Sequence, residues 1–266
     1  MTVEQCSWQI INDKTIELHR RIAAYIKVGT SLVHLNTFVG QQIQDLKCKS
    51  ECLGFPLYPQ KFPSHACYSI NDVICHGNHL YKKYIEEGDV VSIDIALSLD
   101  GYIADLATTY IIKTPKKDED LLLCTTGRMA LQTAMRAIPK DNNLLINTYS
   151  QAVEMAVERS LGNCFVVKHF GGHTIKRNKM HSPPYVPNYP CEYSVGNFQP
   201  GQIYALEPMI GIGTGLTKDD DDYPYMPRTS NGQNSCHFEH NILITEKNEL
   251  ICLSKGMDEL PIIIGV

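Results

Sequence analysis

The sequence predicts an α+β fold, in which helices pack beside antiparallel strands within one compact domain. Three observations support this class. Apolar residues recur at helical spacing near the N-terminus, an Asp-Gly turn joins two apolar runs, and strands and helices do not alternate as a parallel sheet requires. The chain has 266 residues, 43% of them hydrophobic, so it can bury a core of its own.

The elements are predicted in chain order from periodicity and from the residues that start or stop them. The first helix covers residues 12–29, because Asn12 or Asp13 can cap it and Gly29 can end it. The other predicted helices span 36–47, 118–137 and 144–160. Strands are predicted at 73–75, 90–99, 102–112, 164–169, 202–210, 236–245 and 250–253. Prolines predict loops over 50–66 and 183–190.

Charge and composition limit the kinds of partner. The net charge is −5 and basic residues are not clustered, so we expect no nucleic-acid partner. The N-terminus lacks a signal-peptide pattern and no apolar run approaches the length of a membrane span, so we expect a cytoplasmic protein without membrane contact. Ten scattered cysteines favour reduced thiols in such a compartment. A monomer is the default expectation.

Two aspartates in the predicted hairpin are placed on one face by its turn. Asp100-Gly101 is a favoured two-residue turn, and a turn there pairs Ala96 with Asp105. Asp94 shares the face of Ala96, so the two carboxylates are diagonal neighbours, roughly 7–8 Å apart at the backbone. Buried like charges this close repel each other unless a proton or a cation compensates them. The alternative is that one aspartate faces solvent and the other caps a turn.

Three more potential ligands stand in apolar surroundings. His173 follows two glycines, Glu207 precedes a proline and Glu239 lies within a predicted strand. Each alone is more often a satisfied polar group than a ligand. Together with the two aspartates they supply carboxylates and one imidazole whose charge balances two divalent cations, and such ligands suit Mn, Fe, Co or Zn. A water shared by two metals supplies a hydroxide nucleophile near neutral pH.

These five residues, in this order and context, resemble the metal site of the type I methionine aminopeptidases. That family has the pita-bread fold, a curved antiparallel sheet covered by helices. The matching segments are SINDVICHG at 69–77, SIDIALSLDGYIAD at 92–105, GGH at 171–173, LEPMI at 206–210 and FEHNILIT at 238–245. The resemblance implies a single catalytic metallopeptidase domain over residues 12–266, preceded by an N-terminal extension over 1–11.

The resemblance also implies a role for each ligand. Asp94 chelates one metal ion with both oxygens, while Asp105 and Glu239 bridge the two ions. His173 and Glu207 complete the ligands of the second ion. Glu207 has a further implied role as the proton shuttle, which takes a proton from the attacking water and passes it toward the leaving amine.

Two more histidines are similar to family residues that contact the substrate. His76 in CHG and His181 in MHSPP resemble the pair that hydrogen-bonds the scissile amide and its tetrahedral intermediate. The chain departs from the family pattern close to these residues. Thr174 follows His173 where the family has glycine, one extra residue precedes His181, and His237 stands where glutamine is frequent. We expect these departures to affect the substrate groove and not the metal ligands.

Four residues stand at the positions of the family's pocket for the methionine side chain. Cys67 matches the pocket cysteine, Phe55 and Phe62 stand where the family tends to have tyrosines, and Tyr225 stands where tryptophan is common, with an apparent insertion over 56–61. Apolar and aromatic groups of this kind suit a thioether, although aromatic residues in such a loop also serve as plain packing.

The function implied by the resemblance is removal of the initiator methionine from nascent proteins. The substrates are then the N-terminal peptides of nascent chains, and the ribosome is a candidate partner. One alternative is an enzyme similar to prolidase or aminopeptidase P, which usually carries a large N-terminal domain for which no room precedes Asp94. The other is a non-catalytic pita-bread protein that binds peptide or RNA after losing its metals. Retention of all five ligands with His76 and His181 favours the catalyst.

Overall fold

Four α-helices and seventeen strands form the part of the chain that the computed structural model describes, residues 2–57, 60–81 and 84–265. The helices are α1 (Val3–Tyr25), α2 (Leu32–Asp45), α3 (Asp118–Ala137) and α4 (Ile146–Glu158). The strands are β1 (Lys49–Ser50), β2 (Pro56–Leu57), β3 (Gln60–Lys61), β4 (Cys67–Ile70), β5 (Val90–Leu99), β6 (Tyr102–Ile112), β7 (Cys164–Val166), β8 (Gly171–Lys176), β9 (Lys179–Pro187), β10 (Ile203–Leu206), β11 (Met209–Ile212), β12 (Thr217–Lys218), β13 (Arg228–Thr229), β14 (Ser235–His237), β15 (His240–Ile244), β16 (Leu250–Cys252) and β17 (Ile263–Ile264).

The β5–β6 hairpin has the predicted ends and the predicted register. Ala96 pairs with Asp105 and Asp94 pairs with Ala107. Alternate residues of β5, such as Ile93 and Ile95, are buried in the apolar cluster that also contains residues of α1 and α2. The aspartates therefore lie on the opposite face, which is turned toward the second half of the chain.

Three sheets meet around this hairpin, and their strands pair antiparallel except for β17, which runs parallel to β6. The first has the order β1-β5-β6-β17 with β4 on β5, the second β16-β15-β10-β8-β9, and the third β14-β11-β7. Along β10, Ile203 and Ala205 join the cluster beneath α1 and α2, whereas Tyr204 and Leu206 join the cluster beneath α3 and α4. The second sheet is thus covered on both faces, and the mixture of helices and antiparallel strands agrees with the predicted α+β class.

Two of the predicted strands are interrupted, and a glutamate stands at each interruption. Strand 202–210 divides into β10 and β11 around Glu207 and Pro208, since proline has no N–H to donate to a ladder. Strand 236–245 divides into β14 and β15 around Phe238 and Glu239. β10 pairs with β15 in the second sheet, and β11 pairs with β14 in the third. Both glutamates therefore occupy the place where the chain passes from one sheet to another.

The predicted bounds of the first helix were wrong. α1 begins at Val3, because Thr2 accepts a hydrogen bond from the backbone of Gln5 and the Gln5 side chain accepts one from Thr2 N–H. Trp8 packs into the core and contacts Tyr102 edge-to-face, at 5.1 Å between ring centroids. The prediction did not include this capping box, although Thr2 and Gln5 are a local signal for one in the sequence.

Two further predictions were wrong for reasons of hydrogen bonding. Residues 73–75 form no strand, because Asn71 turns the chain at φ +60° and its side chain accepts from Val90 N–H. The predicted loop over 183–190 is largely strand β9. This strand lies at the edge of its sheet, where prolines are tolerated because one side of the ladder needs no donor. Residues 58 and 59 of the apparent insertion lie outside the described residues.

None of the described helices combines the length and the apolar composition needed to cross a membrane. All ten cysteines are free thiols.

The side-chain amide of Asn241 joins the β5–β6 hairpin to the second sheet through hydrogen bonds. Asn241 on β15 is fully buried; its Oδ1 accepts from Asp105 N–H at 3.0 Å and its Nδ2 donates to Asp105 C=O at 2.9 Å. These two bonds fix Asp105 relative to Glu239, two residues before Asn241.

We expect Asn241→Leu to lower the free energy of unfolding by about 2–4 kcal/mol, because two buried backbone groups of Asp105 lose their hydrogen bonds. Urea unfolding followed by circular dichroism measures this. The matched control is Asn142→Leu on an exposed turn, which we expect to change stability by less than about 0.5 kcal/mol. Equal stabilities of the two variants would contradict this account of Asn241.

Candidate metal site

The five predicted ligands converge on one cleft although they come from distant parts of the sequence. The cleft has a volume of about 310 Å³. Its lining residues are Cys75, His76, Asp94, Asp105, Phe170, Gly171, His173, His181, Tyr185, Glu207, Met209, His237 and Glu239. The hairpin supplies the two aspartates, β8 supplies His173, and the two sheet-to-sheet passages supply Glu207 and Glu239.

Three groups of potential ligands within the cleft share members. In each group one atom per residue lies within 4.8 Å of the others. The groups are Asp94, Asp105 and Glu239; His173, Glu207 and Glu239; and Asp105, His173 and His181. Asp105, His173 and Glu239 each belong to two groups. Of these three, the two carboxylates have the pair of adjacent oxygens that a ligand needs to bridge two ions.

Burial and mutual repulsion disfavour the charged forms of the carboxylates. Burial and then the Asp94 charge raise the pKa of Asp105 and of Glu207 well above their usual ranges. Burial raises the pKa of Glu239 in the same way, with Asp105 and Glu207 adding to it. Burial also raises the pKa of Asp94. In the absence of a cation, the cleft therefore holds protons that the same groups would release in water.

The imidazole of His173 remains neutral over the physiological range. Burial, followed by the nearby His181, lowers the pKa of His173 to about 3. Its Nε2 lies 3.6 Å from Glu207 Oε1 and 3.8 Å from Asp105 Oδ2. A neutral nitrogen that faces two carboxylate oxygens at these distances is available to bind a metal ion, because imidazole binds metals only when deprotonated.

Several polar atoms in the cleft have no hydrogen-bond partner among the described residues. Asp94 Oδ1, Glu239 Oε1 and His237 Nε2 are buried in this way. Burying a polar atom without a hydrogen-bond partner costs roughly 1–3 kcal/mol, and more when the atom is charged. The unpartnered oxygens, the neutral His173 and the excess of carboxylates fit a pair of divalent cations and would be unfavourable without them.

His76 is held in one orientation at the wall of the cleft. Its backbone has φ +56°, and its Nδ1 lies 3.0 Å from the carbonyl oxygen of Tyr225. A carbonyl only accepts, so Nδ1 carries the proton. Burial lowers the pKa of His76, so the ring is neutral and its Nε2 presents a lone pair. His181 lies at the exposed rim, edge-to-face with His173 at 4.3 Å between ring centroids.

The four residues predicted for a methionine pocket do lie together. Phe62 and Cys67 are buried in one small cluster, with Phe55 and Tyr225 packed against it. The sequence did not reveal the other members. The cavity beside this cluster has a volume of about 210 Å³. Its lining residues are Cys52, Phe55, Leu57, Phe62, Cys67, His76, Asp94, Ala96, Asp105, Met180 and His181. A hydrogen bond with Cys52, together with burial, raises the pKa of the Cys67 thiol, so this wall stays uncharged.

His237 also lies in the cleft, although the sequence distinguishes it only as a replacement for the glutamine frequent in the family. Its side chain is 2% exposed, and its Nε2 lies 3.6 Å from Glu207 Oε2 and 4.0 Å from Glu239 Oε2. Strand alternation could have identified it, because a residue two positions before Glu239 faces the same side.

Comparison with known proteins shows which family the sequence matches. The sequence matches metallopeptidase family M24 over residues 9–246. The methionine aminopeptidase of Aquifex aeolicus is 31% identical over 86% of this chain and 88% of its own length. Methionine aminopeptidase 1 of Mycobacterium tuberculosis is 32% identical over 85% of this chain and 84% of its own. The crystal structure of methionine aminopeptidase from Thermotoga maritima has a TM-score of 0.85 at 26% identity, over 96% of this chain and 98% of that one.

The raised pKa values of Asp105, Glu207 and Glu239 are expected to lower the free energy of unfolding of the metal-free protein as pH rises from about 5 to 7, because these groups hold protons in the folded state that they release in the unfolded state. Buried histidines with lowered pKa values act in the opposite direction, so the carboxylate contribution is measured as the difference between the parent protein and a variant that lacks one carboxylate. Thermal unfolding of chelator-treated protein across this range measures the slope.

Glu239→Gln removes one of these carboxylates, so the variant should gain stability relative to the parent protein as pH rises across this range. Divalent cation added to the parent should stabilise it more at the upper end of the range than at the lower. Identical slopes for parent and variant would show that the cleft carboxylates do not titrate as described.

Proposed function

This chain belongs to metallopeptidase family M24, and from that premise we propose that it is a methionine aminopeptidase, a metal-dependent enzyme that removes methionine from the N-terminus of proteins. Its fold is the pita-bread fold of that family. The relatives at 31% and 32% identity carry this name, and they give no support to the prolidase-like alternative.

One observation carries the proposal. The apolar cavity and the ligand cleft share four lining residues, His76, Asp94, Asp105 and His181. A side chain seated in the cavity therefore places its own backbone against the carboxylates. Aromatic rings and sulfur line the cavity, which suits an unbranched thioether.

We propose that two divalent ions, drawn from Mn, Fe, Co and Zn, bind here. Asp94 would hold one ion, His173 and Glu207 would hold the other, and Asp105 and Glu239 would contribute to both. When bound, the ions supply a nucleophile near neutral pH and polarise the scissile carbonyl. The chain's contribution is to keep the carboxylates at fixed separations and to leave room for a free α-amine beside the apolar cavity.

Glu207 is proposed to move the proton. Its two carboxylate oxygens reach into the cleft, so the group can hold metal through one oxygen and still take up a proton from the attacking water and pass it to the leaving amine. The break between β10 and β11 places this side chain at the surface of the cleft, free of the ladder on either side.

His76 and His181 are proposed to hold the scissile peptide. Because His76 donates through Nδ1 to the Tyr225 carbonyl, its Nε2 accepts, and the N–H of the scissile amide is the donor that it fits. His181, at the rim beside His173, is positioned to contact the carbonyl side as charge develops there.

The substrates are then N-terminal peptides of nascent proteins that begin with methionine. We further propose that the enzyme acts as a single catalytic domain, as a monomer, in the cytoplasm, where nascent chains leave the ribosome. The absence of clustered basic residues argues against nucleic acid as a partner.

The activity is tested on metal-stripped protein to which Mn, Co, Fe or Zn is returned singly. We expect metal-dependent release of methionine from Met-Ala-Ser, with little cleavage of Leu-Ala-Ser and none of Ala-Pro-Ala. The branched leucine side chain fits the narrow sulfur-lined cavity less well. Cleavage of the proline peptide would assign the chain to prolidase chemistry, and inactivity with every metal would favour a binding protein.

Asp105→Asn should abolish turnover and weaken metal binding while the fold survives, because one bridging charge is lost. Calorimetric metal titration and methionine release measure the two effects. Asp100→Asn, on the exposed hairpin turn, is the matched control and should behave as the parent. Full activity of the Asp105 variant would disprove the assignment of the site.

His76→Ala is expected to lower kcat by about 100-fold or more without loss of metal, as for removal of a hydrogen-bond partner of the transition state. Steady-state kinetics and metal analysis distinguish the outcomes. His34→Ala, on the exposed face of α2, is the control. If the His76 variant loses its metals, then His76 supports the ligands and does not hold the substrate.

A further inference from the structure

We propose that His237 is a positioning residue that donates a hydrogen bond from Nε2 to the second carboxylate oxygen of Glu207. This inference rests on the proposed function, in which Glu207 both binds metal and moves the proton. It assigns a role to the residue that replaces the glutamine frequent in the family.

The two oxygens of Glu207 face two different histidines. Oε1 lies 3.6 Å from His173 Nε2, and Oε2 lies 3.6 Å from His237 Nε2. His173 belongs to a group of potential metal ligands with Glu207, whereas His237 belongs to none of the groups among the described residues. His237 therefore lines the cleft and faces one oxygen of Glu207 without belonging to a group of potential ligands, whereas His173 faces the other oxygen as a member of one.

The Nε2 atom of His237 requires a partner. It is buried and has none among the described residues. The facing oxygen of Glu207 is a few tenths of an ångström beyond hydrogen-bond distance, so a small rotation of either side chain completes the bond. A hydrogen bond to a carboxylate is stronger than one between neutral groups, and such outer contacts orient metal ligands.

The backbone of His237 is anchored at the wall of the cleft. Thr109 on β6 accepts from His237 N–H at 2.9 Å and donates to His237 C=O at 2.8 Å through the same hydroxyl. On the other side, His237 pairs with Met209 in the third sheet. With its backbone fixed there and its ring buried, His237 presents Nε2 to the oxygen of Glu207 that does not face His173.

The experiment compares three variants that differ in reach. His237→Gln retains a donor at about the distance of Nε2, His237→Asn retains a donor that is too short, and His237→Leu retains none. The positioning role predicts that kcat falls by about 10–100-fold in the Asn and Leu variants with KM little changed, and that the Gln variant stays within about fivefold of the parent.

A second readout does not depend on turnover. Metal-free protein is titrated with Co(II), and the heat of binding and the visible absorption are recorded. We expect two ions bound in every variant, with the absorption altered in the Asn and Leu variants and preserved in the Gln variant. Loss of one bound ion in the Gln variant would instead make His237 a ligand and overturn the inference.

The inference also fails if the Asn variant matches the Gln variant in kcat and in absorption, since polarity and not reach would then matter. The Gln and Asn comparison remains decisive even if the Leu variant does not fold. If the parent protein releases no methionine, the proposed function fails, while the Co(II) absorption still tests the contact between His237 and Glu207.

Discussion

The burial of four carboxylates close together in one cleft is the constraint on which the rest of the structure depends. Burial raises the pKa of each one, and their charges oppose one another. An interior that could relax would separate them. The hairpin register, the buried amide of Asn241 and the two passages between sheets keep them together, so the scaffold holds a site that only cations make favourable.

The same scaffold explains why the histidines of the cleft differ in chemistry. Burial lowers the pKa of His173 to about 3, so it is available as a ligand. The Nε2 atom of His76 is left as an acceptor, because its Nδ1 donates to the Tyr225 carbonyl. The backbone contacts of His237 place its ring beside Glu207. Three neutral imidazoles thus have three separate tasks, set by which nitrogen is already engaged and not by distance to the metals alone.

The parts of the structure that were predicted from sequence are those governed by local rules. Asp100-Gly101 set the hairpin register, and helix-forming residues predicted α3 at 118–137, both as observed. Apart from the capping box at Thr2 and Gln5, which is a local signal, the failures depended on context. β9 is a strand because its prolines fall on a sheet edge, and no local pattern distinguishes an edge from a loop. His237 was undervalued because its neighbour in space, Glu207, is thirty residues away in sequence.

The proposed ligands Asp94 and Glu239 are separated by more than half of the sequence, and only the folded chain brings them together. An ion held by both would therefore bind the folded state and not the unfolded one, and it would stabilise the fold to a degree that rises with its concentration. Metal would then act on the architecture as well as on the substrate.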